Sequence, residues 1–232
     1  METIKFDKNS PGFKKENDHR FGEYYIYNGS IKEKANLEFS FDLLVIVSGG
    51  DIISDGYIRS DGDIRSDGYI RSDGYIRSDG CIRSDGDIRS DGDIISDGYI
   101  RSGGDIISDG YIRSDGYIRS DGDIRSDGYI RSGGDIRSGG VIRSGGVIIS
   151  GGDIRSDGDI EMLKVKSKYC ILINHLGWHI WILESHIKIG CQFHTKEEWT
   201  NFTDLEIVDM DRHALEFWSN HKDWILNINP KI

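Results

Sequence analysis

Six side chains in the last third of the chain could coordinate a metal: Cys170, His175, His179, His186, Cys191 and His194. Thiolate sulfur and imidazole nitrogen suit zinc, and Cys191-x-x-His194 has a chelating spacing, with His186 as the nearest third donor. No standard finger pattern surrounds them. Buried structural thiols and surface imidazoles are the plainer account of the same residues. Zinc, if held, would have a structural role, and no other cofactor is expected.

A second chemistry is repeated rather than unique. Arg65, Arg83, Arg101, Arg119, Arg137 and Arg155 recur at a fixed interval, as do Tyr57, Tyr75, Tyr111 and Tyr129. A guanidinium ladder could meet a polyanion, and a phenol ladder a sugar chain or an aromatic surface. The bland alternative is that both are the outward coat of a solvated sheet. Recurrent Ser-Asp-Gly turns raise calcium, but the nonapeptide pattern of calcium rolls is missing. Ice binding on a flat repetitive face is disfavoured by the Arg/Asp coat.

What must position these ladders is a six-residue phrase, Ser-Asp-Gly-Tyr-Ile-Arg with minor variation, repeated nineteen times between Ser48 and Glu161. Its Ile is fixed, from Ile52 to Ile160 at every sixth residue. A Gly precedes each Ile by two, so Gly and Ile are expected to face inward and the residue between them outward. Three such strands closing a triangle need 18 residues per coil. Sorting the hexads by threes gives each face its own outward residues. One reads Asp51, Tyr69, Asp87, Asp105, Asp123, Val141, Asp159; the next reads Tyr57, Tyr75, Asp93, Tyr111, Tyr129, Val147; the third carries the six arginines. Ile53, Ile95, Ile107 and Ile149 replace Arg in two pairs, each 54 residues apart, which is three whole coils.

The expected fold is therefore mainly β, a left-handed parallel β-helix, its hand taken from the hexad rule. Its coils, about 4.8 Å apart, would make a prism roughly 30 Å long. Stacked Tyr and Ile are favourable, whereas aligned Asp repel unless Arg or counter-ions intervene. Ser-Asp-Gly repeats also fit a flexible low-complexity chain, but an Ile in every hexad argues against that.

The flanks divide the chain into three parts: 1–47 as an N-terminal cap with degenerate first coils, 48–161 as the array, and 162–232 as a small α+β domain closing the rod. Upstream, Gly29-Ser30-Ile31 and Ala35-Asn36-Leu37 fit the small-x-aliphatic rule; Leu43 continues it, and the phase then shifts to Ile46. Downstream lie all five tryptophans. Tyr169–Ile173, Trp178–Glu184 and Ser185–Gly190 read as strands, with Leu176-Gly177 as a turn. Thr195-x-x-Glu198 and Thr203-x-x-Glu206 are capping boxes that start two helices, the second expected to reach Asn220 with Leu205, Val208, Leu215 and Trp218 on one stripe.

Composition narrows the classes. Formal net charge is -11, and the array with its 22 Asp, one Glu and 14 Arg carries most of it. Such acidity argues against nucleic acid or an anionic membrane surface as partner. Three widely spaced cysteines suggest reduced thiols. The opening residues lack the apolar core of a signal peptide, and no run approaches the roughly 18 apolar residues of a membrane span. The expectation is a soluble protein of the cytoplasm.

The C-terminal segment Ile189-Gly190-Cys191-Gln192-Phe193-His194, then Glu198-Trp199 and Asn201-Phe202, resembles hexapeptide-repeat proteins encoded by bacteriophages and prophages. Members carry a strand ending in Ile-Gly-Cys, often followed by x-x-His and a Trp-containing helix. Their repeats look like Gly-Asp-Ala-x-Val-Tyr, in which Ala-x-Val corresponds to Gly-Tyr-Ile here. Met210-Asp211 and Ala214-Leu215-Glu216-Phe217-Trp218 are similar too, so the likeness covers most of residues 29–228. The chain departs from the family in using Gly where Ala is preferred, which would thin the core. The resemblance implies a phage-related origin, in the host cell or on the virion, without an established activity.

The expected function is that of a non-enzymatic structural or interaction protein, a rigid spacer or scaffold whose partner is a protein. The oligomeric state stays open, a trimer included. The competing class is a hexapeptide-repeat acyltransferase with an acyl-CoA donor. Such enzymes use a histidine base beside a coil, yet all seven histidines here lie outside the array and no loop interrupts it.

Overall fold

Each hexad places three residues in a strand and three in a corner. From Ile52–Ser54 to Ile148–Ser150 the strands are Ile-x-Ser triplets whose first and third side chains are buried and whose middle one faces outward. The β-branched Ile fits a pleated surface, and the following Asp-Gly or Gly-Gly pair bends the chain. The computed structural model describes residues 2–18, 22–40, 44–167, 170–173 and 176–228; His19, Leu43, Tyr169 and His175 lie outside these. The chain divides into two compact units, Met1–Lys164 and Val165–Ile232.

In the first unit every strand of the array pairs in parallel with the strand 18 residues away, as in Ile70↔Ile88, Ile76↔Ile94 and Ile82↔Ile100. Three parallel sheets result. One runs through Ile58, Ile76, Ile94, Ile112, Ile130 and Ile148, the second through Ile52 to Ile160, and the third through Ile64 to Ile154. This is a β-solenoid with 18-residue coils, and the three face lists read from the sequence are its three sheets. The interior is a stack of Ile side chains with essentially no exposure.

The second interior residue is Ser, not Gly. Ser66, Ser102 and Ser126 are buried, and each Oγ donates to the carbonyl of a corner glycine in the preceding coil: Gly50 at 2.7 Å, Gly86 at 2.7 Å and Gly110 at 2.8 Å. A buried hydroxyl is tolerable only with such a partner. Hydrophobicity alone could not have placed it. The glycines instead occupy the corners, where coils touch backbone to backbone: Gly116 N donates to Gly98 O at 2.9 Å, and a Cβ added at Gly116 would lie 3.1 Å from the Gly98 carbonyl carbon. Gly in place of Ala therefore does not thin the core, which Ile and Ser fill; it permits the corner contact.

At the N-terminal end, Ile31 and Leu37 align with Ile52 and Ile58, as the spacing predicts. The phase shift resolves differently from expectation: Val45 pairs with Ile64 and is buried, while Ile46 pairs with Arg65. Gly49, at φ 69°, supplies the left-handed residue at which this longer first coil turns. Phe39 fills the position that Ser takes elsewhere, opposite Ser60, and stacks on Phe6 with ring centroids 5.2 Å apart. Thr3–Phe6 adds a parallel strand to one sheet, and the hairpin Phe13–Asp18/Gly22–Asn28 adds two to another.

The second unit holds a four-stranded antiparallel sheet of Ile171–Ile173, Ile180–Ile182, His186–Ile189 and Gln192–Thr195. The last strand was not among those expected. Three helices follow: α1 (Lys196–Asn201), α2 (Asp204–Met210) and α3 (Ala214–Asn227). Both capping boxes form, on Thr195 with Glu198 and on Thr203 with Glu206. The expected second helix is broken at Asp211, whose backbone is extended and whose Oδ1 accepts the His213 N–H at 2.8 Å. This local bond competes with helix continuation. The stripe expected to run from Leu205 to Trp218 is thereby split: Leu205 and Val208 are exposed, and Ile207, Ala214, Trp218 and Ile225 face the core with Ile180, Ile182, Ile187, Ile189 and Trp199.

Candidate functional site

Two groups of residues stood out for chemistry, and the fold treats them differently. The ladders are assembled as the period requires. Arg65, Arg83, Arg101, Arg119, Arg137 and Arg155 are successive partners in one sheet. On the adjacent sheet the Tyr57–Tyr75 and Tyr111–Tyr129 rings stack with centroids 4.8 and 4.7 Å apart and planes within 5°. Asp93 separates the two pairs. The arginine sheet carries a further stack, Tyr99–Tyr117, at 4.8 Å and 3°. The same 18-residue period relates Tyr99 to Tyr117.

Carboxylates partner most of the ladder. Arg83 lies 3.6 Å from Asp85, Arg119 3.6 Å from Asp121, Arg137 2.6 Å from Asp135 and Arg155 2.7 Å from Asp153. Arg65 lies near both Asp67, at 3.7 Å, and Asp85, at 3.9 Å. Arg101 is followed by Ser102-Gly103-Gly104, so the corner Asp that partners Arg83 and Arg119 has no counterpart there. Arg65 and Arg83 are half-buried, whereas Arg119, Arg137 and Arg155 are exposed, and their pairs are worth only about 0.2–1 kcal/mol each. Their consequence is mainly electrostatic: the stripe is a mosaic of both signs and not a continuous cationic track.

The Cys/His cluster is spread over a sheet. The register pairs His186 with Thr195 and Ile187 with His194. Directly paired residues share a face and neighbours alternate, so His186 and His194 project from opposite faces. His186 stacks on Phe193 at 5.1 Å, and its Nδ1 lies 2.9 Å from Ser185 Oγ. His194 packs edge-on against Trp199 and Phe202, with Nε2 3.2 Å from Gln192 Oε1 and Nδ1 4.0 Å from Glu198 Oε2. Cys191 is exposed in the turn between those strands, beside Gly190 at φ 55°. His179 lies against Trp181, with rings 5.6 Å apart.

Cys170 is buried, which pushes its thiol up to about 12 and keeps it neutral at ordinary pH. Among the described residues no group of three or more His, Cys, Asp or Glu side chains is placed to hold a metal ion. His175 lies outside the described residues.

Burial also lowers the Lys188 ammonium, whose Nζ donates to Gly190 O and sits 5.4 Å from the Trp181 ring centroid. The aromatic density of this unit, with Trp199 Nε1 donating to Ile187 O at 2.8 Å, makes the sheet-to-helix packing its most specific construction.

Neither the protein-family models, nor the curated proteins, nor the solved structures compared with this chain give a match.

Proposed function

We propose that the protein is a non-enzymatic scaffold or spacer, a hexapeptide-repeat solenoid of phage or prophage origin that presents repeated faces and a C-terminal unit to a protein partner. It acts in the cytoplasm of the host cell or on the virion, and needs no cofactor. The observation that carries this reading is the uninterrupted register of the array. Each Ile from Ile52 to Ile148 is sealed inside, and each outward position repeats at 18 residues, so the solenoid's regular surface repeats a few groups in place of one unique constellation. Repetition of this kind suits spacing and multivalent contact.

The test is the solution mass of the full chain by light scattering, followed by acyl-CoA binding and turnover on a panel of amines and hydroxyls. A species of defined mass that neither binds the donor nor turns it over supports the scaffold. Turnover overturns it in favour of a hexapeptide-repeat acyltransferase, with a trimer pointing to sites between subunits.

A further inference from the structure

The C-terminal unit holds a half-open cavity of about 110 Å³ between the turn at Gly190-Cys191 and the helices. Trp178, Trp199, Phe217 and Trp218 form its aromatic wall, Met210 adds a polarizable thioether, and Asp211 is the one charged residue of the lining. An apolar cavity of about 150 Å³ takes benzene, so this one admits a compact group of roughly five heavy atoms. Asp211 is exposed and its Oδ1 accepts the His213 N–H, and among the described residues no Lys, Arg or His side chain pairs with it.

Aromatic faces carry negative electrostatic potential, and Asp211 adds a solvent-screened carboxylate of the same sign among the lining residues. Such a site prefers a cation, but one that sheds water easily, because the walls offer little to replace a hydration shell. A primary ammonium fails that condition. An ammonium whose hydrogens are replaced by methyl groups meets it, being apolar on its surface and cationic overall.

We propose that this cavity binds a quaternary ammonium group, carried by a small molecule or by a trimethylated lysine of a partner. The inference stands on the cavity alone and does not rest on the scaffold reading. Because all five tryptophans lie in this unit, intrinsic fluorescence of the full chain reports on it.

The experiment compares choline with 3,3-dimethylbutan-1-ol, its neutral isostere, and with the free trimethyllysine side chain as an N-acetyl amide. Choline or the trimethyllysine derivative should bind saturably and about tenfold more tightly than the neutral isostere. Whichever of the two binds better identifies the source. Asp211→Asn keeps an acceptor for the His213 N–H while removing the charge, and should abolish the preference for the cation. Phe217→Leu keeps apolar volume while removing one π face, and should weaken cation binding several-fold if Asp211→Asn does not fold. Equal binding of cation and isostere, binding by none of the three, or full affinity in both variants overturns the proposal.

Discussion

Asp123 Oδ1 accepts the backbone N–H of Val141, eighteen residues on and one coil further along, at 2.7 Å. The same bond recurs from Cys81 to Asp63 at 2.7 Å, from Tyr111 to Asp93 at 3.0 Å and from Asp153 to Asp135 at 3.0 Å. Because the donor is backbone, the residue above the carboxylate can be Val, Cys, Tyr or Asp. This explains how acidic residues stack in columns that simple charge repulsion would penalise. Each carboxylate is held by the next coil, and Asp123 and Asp135 are also held by Arg125 and Arg137.

Acid should loosen the solenoid. The Val141 N–H first, then Arg125, holds the Asp123 carboxyl below its ordinary range, and the Asp153 N–H and Arg137 do the same for Asp135. A carboxyl depressed in the folded state stabilises above its unfolded value of about 3.9, and that contribution is lost as pH falls through the lower folded value. The melting temperature should therefore fall below about pH 4. Thermal unfolding at pH 6, 4 and 3 checks this; an unchanged midpoint at pH 3 contradicts it.

Gly140 and Asp123 should be energetically coupled. A Cβ at Gly140 would overlap Asp123 Oδ1, so Gly140→Ala must expel the carboxylate from its bond to Val141. The cost should be about 1–3 kcal/mol, as for other overpacked sites. In Asp123→Gly the obstructing oxygen is gone, and adding Gly140→Ala there should cost clearly less. A double-mutant cycle by urea unfolding measures the difference, and strict additivity would refute the coupling.

Ser102→Ala removes the hydroxyl that donates to Gly86 O and accepts from Gly104 N at 3.2 Å. Gly104 N keeps Gly86 O as an acceptor at 3.2 Å, which limits the loss. Destabilisation of about 1 kcal/mol is expected, read as a lower urea midpoint at unchanged slope. Ser102→Val, which adds a branched apolar side chain where a small hydroxyl is bonded, should cost more.

Coil length should be quantised. Deleting residues 109–126 removes eighteen residues and leaves each remaining strand on its own sheet, with Arg101 now followed by Arg137. That variant should fold with a cooperative melt. Deleting only three residues, 109–111, puts corner residues into strand positions for every later hexad, and should leave an aggregated or partly unfolded chain. Circular dichroism and light scattering on the two variants distinguish these outcomes.

Much of the first unit was readable because its signal is redundant. An Ile at every sixth residue names the interior, and grouping hexads by threes gives the sheet to which each outward side chain belongs. Ser and Gly were misassigned for one reason: size and polarity in a hexad do not say which small residue lies on the strand and which in the corner. The hydrogen bond from Ser66 to Gly50, sixteen residues back, decides that. Val45 was missed similarly, since Leu44, Val45, Ile46 and Val47 are all apolar and only pairing with Ile64 selects one.

In the C-terminal unit the sequence by itself determined local features. Thr195 and Thr203 cap helices because their hydroxyls and the glutamates three residues on satisfy backbone N–H groups within one turn. What only the tertiary structure decided was which side chains meet. The added strand Gln192–Thr195 turns His194 toward Trp199 and Phe202, on the face opposite His186. The break at Asp211 swings α3 so that Trp218 and Phe217 line a cavity with Trp178, forty residues earlier. Short-range bonds are written in residue spacing; sheet faces and cavities depend on register and packing between distant segments, which spacing alone does not encode.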